Sequence, residues 1–267
     1  MTKRSTLTFG YSPCPNDTFA FHALSHGLIA TSFDVEPILL DIEELNRRAH
    51  TSEFALTKLS VGAFAGVGAR YRLLRSGAAL GSGVGPLVVS RTAMSLPDVA
   101  RQRVAIPGRE TTAFRLLRMA APSLRNVVVL RYDQILQAVA SGDVDAGLII
   151  HESRFTYADH GLVKVVDLGD WWEAETALPV PLAGICARAD VRADLAREAE
   201  QAIRASVQYA FDHPLASRAY VRTHAQEMSD SVCDAHIALY VNQHSLDIGD
   251  DGLRAIHRLI AAGDDNS

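Results

Sequence analysis

Cysteine is scarce in this chain. The three residues, Cys14, Cys186 and Cys233, are widely separated among 267. An odd, scattered set supports neither a disulfide framework nor a clustered zinc site, so a reducing, cytoplasmic setting is expected. Long apolar runs are missing too. No window approaches the ~18 uninterrupted apolar residues of a membrane span. The opening, MTKRSTLTFGYSPC, lacks the apolar core of roughly 7 to 15 residues found in a secretory signal. There is no long basic block: 26 Lys and Arg against 31 Asp and Glu leave a net charge of -5. Nothing here could neutralise a row of phosphates, which excludes nucleic acid as an expected partner. No Walker A or Rossmann glycine pattern is present, so a nucleotide cofactor has no visible seat. His151 and Glu152 lack the second histidine of a metalloprotease helix, and no metal is expected.

What the chain does hold is a 48% apolar content and a regular alternation of short β-rich runs with helical patterns. LTFGYS (7–12) reads as a strand, and DTFAFHALSHGLI (17–29) as a helix with Phe19, Leu24 and Leu28 on one face. FALTKLS leads into VGAFAGVGA, RVAIPG into TTAFRLLRMAA, and VVVLRY into DQILQAVASGD. Such alternation predicts an α/β fold of parallel sheets covered by helices. Two Gly/Pro-rich segments with β-like runs, GSGVGPLVVSR (81–91) and PVPLAGICARAD (179–190), break the rhythm and read as paired crossovers. The expected organisation is a discontinuous lobe of residues 1–86 and 190–267, ending in helices, with an inserted lobe of residues 87–189. The tail, GDDNS, reads as a frayed end.

In open parallel sheets, ligands bind beyond the carboxyl ends of the strands, where loops enter helices. Asp17, Ser60 and either Thr111 or Thr112 sit where they could cap such helices. Helix N-termini offer unpaired N–H groups and partial positive charge, so two facing each other could hold a small carboxylate. Taken singly, each residue reads more readily as a plain cap worth about 1 kcal/mol. The run AGLIIHESRFTY would carry His151 to the same strand edge, where a neutral imidazole could act as a general base, or simply pack at the surface. Glu152 could pair with Arg154 or contact the ring. Cys14, between prolines, reads as a small packing residue, since no neighbour in sequence would activate its thiol. Trp171 and Trp172 could stack on an aromatic ligand but more commonly cover a lobe edge. Asp143 and Asp145 precede the strand and read as a turn.

YSPCPNDTFAF, LTKLS, GVGPLVV, PGRETTAF and LIIHESRFTY, in this order, closely resemble the 1,4-dihydroxy-6-naphthoate synthases of the futalosine route to menaquinone. GLVKVVDLGDWWE and YVNQHSLDIGDDG extend the similarity from about residue 7 to about residue 257. The resemblance implies a two-lobed fold like the type 2 periplasmic binding proteins, with a cleft between lobes joined by two crossovers. It implies cleavage of cyclic dehypoxanthine futalosine, a small aromatic carboxylate, to 1,4-dihydroxy-6-naphthoate and dihydroxyacetone, without metal or organic cofactor. It places the catalytic base on His151 and substrate contacts on Lys58, Leu59 and Ser60 and on Thr112 and Ala113, beside the cap candidate Thr111. Asp17 matches the aspartate of a first loop bordering the cleft. A non-catalytic small-carboxylate binder and the chorismate dehydratase that opens the same route are the competing readings.

Overall fold

The computed structural model describes residues 4–226 and 229–262; the GDDNS tail lies outside them. β1 Ser5–Tyr11, α1 Pro15–Ser25, β2 Phe33–Leu39, α2 Ile42–Ala49, β3 Leu56–Ser60 and α3 Val61–Val67 alternate first, followed by short strands β4 Tyr71–Leu73 and β5 Ala79–Gly81. The chain then enters a second sheet with β6 Leu87–Ser90, α4 Leu96–Val99, β7 Val104–Ile106, α5 Thr112–Ala120, β8 Val127–Val129 and α6 Ile135–Ser141. β9 Ala146–Ile149, α7 Ser153–Thr156, β10 Val163–Asp167 and α8 Leu168–Thr176 complete that part, and β11 Val180–Arg188 follows. The rest is helical: α9 Ala193–Asp212, α10 Arg218–His224, α11 Asp230–Tyr240, α12 Gln243–Leu246 and α13 Gly249–Ala261. Among the described residues no helix is long and apolar enough to cross a membrane.

The first sheet runs β2-β1-β3-β11-β4, with β5 also paired to β11, and the second runs β10-β6-β9-β7-β8. Both are mixed rather than wholly parallel. β1 is parallel to β2 and β3, and β7 to β8 and β9, whereas β6 and β11 run antiparallel to their neighbours. Parallel pairing needs a crossover of about a dozen residues or more, usually a helix. β6 follows β5 of the first sheet with no helix between them, and β11 returns from the second sheet after α8. β11 lies within the 87–189 segment expected as the inserted lobe, yet Ala183–Ala187 pair with Leu56–Ser60 of the first sheet. The return crossing therefore precedes β11, and an apolar run alone could not say which sheet it would join.

Strand order reverses between β1 and β3 in one sheet, and between β7 and β9 in the other. At such switch points neighbouring loops leave in opposite directions and open a crevice. Hence four loops, after β1, β3, β7 and β9, carry the positions that the sequence singled out.

One core holds the aromatic trio Phe9, Tyr11 and Phe21, with ring centroids 5.0 to 5.3 Å apart, beneath α1 and α9. A second core draws on both sheets, through Leu80 and Val180 on one side and Val88 and Leu148 on the other. Trp172 is fully buried in it and donates its indole N–H to Pro179 O at 3.0 Å, while Trp171 packs half-buried against the same cluster. Neither tryptophan borders the crevice cavity described below. Trp172→Ala is expected to cost about 3–5 kcal/mol in denaturant unfolding and Trp171→Ala much less; equal losses would contradict this packing.

Candidate active site

The floor of the site is built at the end of β1. Pro15 occupies the first turn of α1, where its missing N–H costs nothing and its fixed φ suits a helix. The helix therefore starts earlier than expected: Cys14 takes the cap position and Asp17 lies inside the first turn. Asp17 accepts from Ser12 N at 3.1 Å, Ser12 Oγ at 2.9 Å and Asn16 Nδ2 at 2.8 Å, and it forms an ion pair with Lys58 Nζ. Both charged side chains are at most 6% exposed. Removing either one would strand the other charge, a change costing about 3–5 kcal/mol in typical buried pairs.

β3 supplies the next wall by simple alternation. Lys58 and Ser60 face the cavity, while Leu59 turns to the other side and packs with Ala49, Val67 and Tyr71. Leu59 was expected among the substrate-contacting residues, but its side chain faces away, because successive strand residues point to opposite faces. Ser60 holds the cap position of α3 without capping it. Its Oγ accepts from Asn46 Nδ2 at 3.0 Å, and its N–H donates to Asn46 Oδ1 at 2.9 Å, which leaves the hydroxyl proton available to the cavity.

Thr111 is the cap of α5, accepting from Phe114 N at 3.2 Å. The Thr112 hydroxyl proton is already used: it donates to Leu182 O at 2.6 Å, and the oxygen accepts from Gly62 N at 3.0 Å. What α5 offers a ligand is thus the N–H groups of Thr112 and Ala113, which have no intrahelical acceptor at the first two helical positions. Gly62 permits this approach, because a Cβ there would lie 2.9 Å from Thr111 O.

His151 follows β9 in a left-handed backbone conformation, φ 56°, which is uncommon for a residue other than glycine. The ring is half-buried and lines the cavity, Tyr132 meets it edge-on at 4.9 Å, and Nε2 has no hydrogen-bond partner among the described residues. Burial, and then the positive charge of Lys58, push its pKa down to about 3. The imidazole is therefore neutral at physiological pH. Arg154 is not Glu152's partner: it pairs with Asp167 at 2.9 Å and donates to Gly85 O. Glu152 Oε2 instead stands 4.0 Å from Nδ1 of His236, a residue of α11 that the sequence reading missed. The His236 ring stacks 6.2 Å from His151, and its Nε2 contacts Asn16 Oδ1 at 3.0 Å. Nothing in the apolar helical pattern around His236 distinguishes it from a core histidine.

These loops border one shared cavity. Ser60, Thr111, Thr112, Ala113, Lys58 and His151 all line it; Asp17 lies beneath, reaching it through Lys58. Ile42, Val84, Pro86, Ile150, Leu182 and Tyr240 supply apolar wall, suited to a flat aromatic ligand. Donor atoms of Cys14, His151 and Glu152 lie within 4.8 Å of one another and are the described group nearest to a metal site. Bonds of about 2.0–2.3 Å would draw zinc ligands to within about 4 Å of each other, so the group would have to contract beside the Lys58 cation. Cys14 is also held as a thiol, since burial and then Glu152 raise its pKa well above the ordinary value.

A family model described as menaquinone biosynthesis matches residues 7–265. A Thermus thermophilus protein named 1,4-dihydroxy-6-naphthoate synthase is 54% identical, covering 96% of this chain and 93% of that protein. A Streptomyces coelicolor protein of the same name is 44% identical, covering 96% and 92%. A crystal structure from Archaeoglobus fulgidus superposes with a TM-score of 0.92 at 34% identity, covering 97% and 98%. The alkanesulfonate-binding protein of Xanthomonas axonopodis pv. citri reaches 0.73 at 14% identity, covering 100% and 94%, and shows that the fold is of the periplasmic-binding-protein kind.

Below pH 6.5 the unfolded chain protonates His151, whereas the folded imidazole resists until about pH 3. Stability is therefore lost as pH falls through that window. His151→Asn should flatten this part of the pH–stability curve and leave stability at alkaline pH equal or higher, because asparagine tolerates a positive φ. An unchanged acid slope in urea unfolding would count against the half-buried, neutral imidazole.

Proposed function

The chain belongs to the menaquinone-biosynthesis family that its sequence matches over residues 7–265, and from this we propose that it is a 1,4-dihydroxy-6-naphthoate synthase. It is then a carbon–carbon lyase of the futalosine pathway, cleaving cyclic dehypoxanthine futalosine to 1,4-dihydroxy-6-naphthoate and dihydroxyacetone. The names of the relatives at 54% and 44% identity support the product. The observation that carries the reading is spatial: Ser60, Thr112 and His151, from three loops of two sheets, line one cavity.

The substrate's benzoate carboxylate sits against the Ser60 hydroxyl and the N–H groups of Thr112 and Ala113, where the N-terminal end of α5 favours negative charge. The apolar walls take the rings, and the non-aromatic ring turns toward His151. Neutral Nε2 removes a proton there and the C–H pair completes the new aromatic ring, while the C–C bond to the three-carbon fragment breaks, its pair leaving with the fragment and taking the proton back from the imidazolium to give dihydroxyacetone. The reaction is redox-neutral and needs no electron carrier. A base with a pKa near 3 is weak, but a bound carboxylate favours the imidazolium and raises that value. General-base action of this kind contributes about 10²–10⁴ in rate, and orientation in the cavity adds to it. Lys58 is held by Asp17 at the cavity floor, positive toward the anionic substrate. The reading places the enzyme in the cytoplasm, in keeping with three buried cysteines that form no disulfide among the described residues.

Purified protein incubated with cyclic dehypoxanthine futalosine is expected to release the naphthoate and dihydroxyacetone, identified by mass. Tight binding without turnover would mean a solute-binding module instead. His151→Ala should lower kcat by about 10² or more while retaining binding, and near-normal turnover would remove the base assignment. Ser60→Ala should raise KM about 10-fold or more through a lost charge-assisted hydrogen bond; an unchanged KM would remove the carboxylate anchor.

A further inference from the structure

His236 plays no part in the mechanism above, yet it is 1% exposed, lines the cavity, and leaves Nδ1 with no hydrogen-bond partner among the described residues. Its tautomer is fixed by a chain of bonds that starts at a charge. Lys58 pairs with Asp17, and Asp17 Oδ1 accepts from Asn16 Nδ2 at 2.8 Å. This fixes the Asn16 amide, since the reverse orientation would press its carbonyl oxygen against a carboxylate. Asn16 Oδ1 therefore faces His236 Nε2 at 3.0 Å as an acceptor, so Nε2 carries the proton. Nδ1 is left as a bare lone pair, an acceptor without a donor. Burial, and then the neighbouring His151 and Lys58, hold the ring neutral by pushing its pKa well below the usual histidine value.

A buried acceptor without a partner is costly unless a ligand satisfies it. The satisfying group must be a donor. A carboxylate placed there would meet Nδ1 and also Glu152 Oε2, which is 4.0 Å from it. We propose that His236 is a second ligand-reading imidazole of this cavity, whose Nδ1 accepts a hydrogen bond from a substrate hydroxyl beside His151. The substrate class is thus a hydroxylated bicyclic or polyhydroxy carboxylate: the acid end is read by Ser60 and α5, and a hydroxyl is read by His236. The inference rests on the proposed function only for the identity of that substrate.

Two near-isosteric variants separate a ligand-reading role from a structural one. His236→Asn keeps an acceptor oxygen near the Nδ1 position and loses the donor to Asn16, while His236→Gln keeps that donor and loses the acceptor. Each is titrated calorimetrically with 1,4-dihydroxy-6-naphthoate, which carries hydroxyls, and with 2-naphthoate, which has none, and each is assayed with cyclic dehypoxanthine futalosine. His236→Gln is expected to weaken the hydroxylated ligand, and to raise KM for the substrate, by about 10- to 100-fold. His236→Asn should recover most of that loss, and 2-naphthoate should bind all three proteins alike. Equal losses in both variants, a parallel loss of 2-naphthoate binding, or wild-type behaviour of His236→Gln would overturn the proposal. Absence of wild-type turnover would overturn the functional reading alone, because the contrast between the two naphthoates judges His236 without catalysis.

Discussion

A single buried ion pair organises the site. Lys58 and Asp17 come from different elements, β3 and α1, and neither charge could remain buried without the other. Pairing them fixes the distance between two adjacent strand ends at a switch point of the first sheet. It also sets the direction of every polar group nearby. Ser12 donates to Asp17 through both its N–H and its hydroxyl, Asn16 is turned by the same carboxylate, and the Asn16 carbonyl orients an imidazole from α11, more than two hundred residues away in the chain. The Lys58 charge then acts on the opposite wall, where it helps keep His151 unprotonated.

Around that pair, the proposed anion site rests on partial charges. The Ser60 hydroxyl is turned by Asn46, and α5 presents N–H groups whose geometry is set by backbone. The Thr112 hydroxyl links the wall to β11 and to Gly62. Such groups are pre-oriented, so the proposed binding of a carboxylate would lose little ordering entropy. The same economy explains the strained backbone at His151. A left-handed residue at a strand end costs about 1–2 kcal/mol for a side chain other than glycine, and here it places an imidazole where an extended strand would not.

Much of the secondary structure was legible because it follows from local periodicity. Strand and helix alternation up to β9, and the helical run after β11, are written in apolar spacing that neighbouring residues enforce on each other. Candidate loops were legible for a similar reason: proline, glycine and small hydroxyl residues cluster where strands hand over to helices. Local signals failed where the outcome depended on a distant partner. Leu59 and Ser60 are neighbours in LTKLS, yet strand pleating sends one into a core and the other into the cavity. Arg154 stands two positions from Glu152 but pairs with Asp167, because the turn after β9 carries its side chain toward β10.

The amino-acid order thus determined the α/β character, the short connections at which ligands could be met, and a family resemblance whose motifs mark those connections. The tertiary structure alone decided that β11 returns to the first sheet, that both sheets carry antiparallel crossover strands, and that His236 stands beside His151. The reason is physical. Backbone propensity and apolar period act over a few residues, whereas sheet order and the pairing of buried charges are settled by contacts between segments far apart in the chain, and these leave no mark on either segment read by itself.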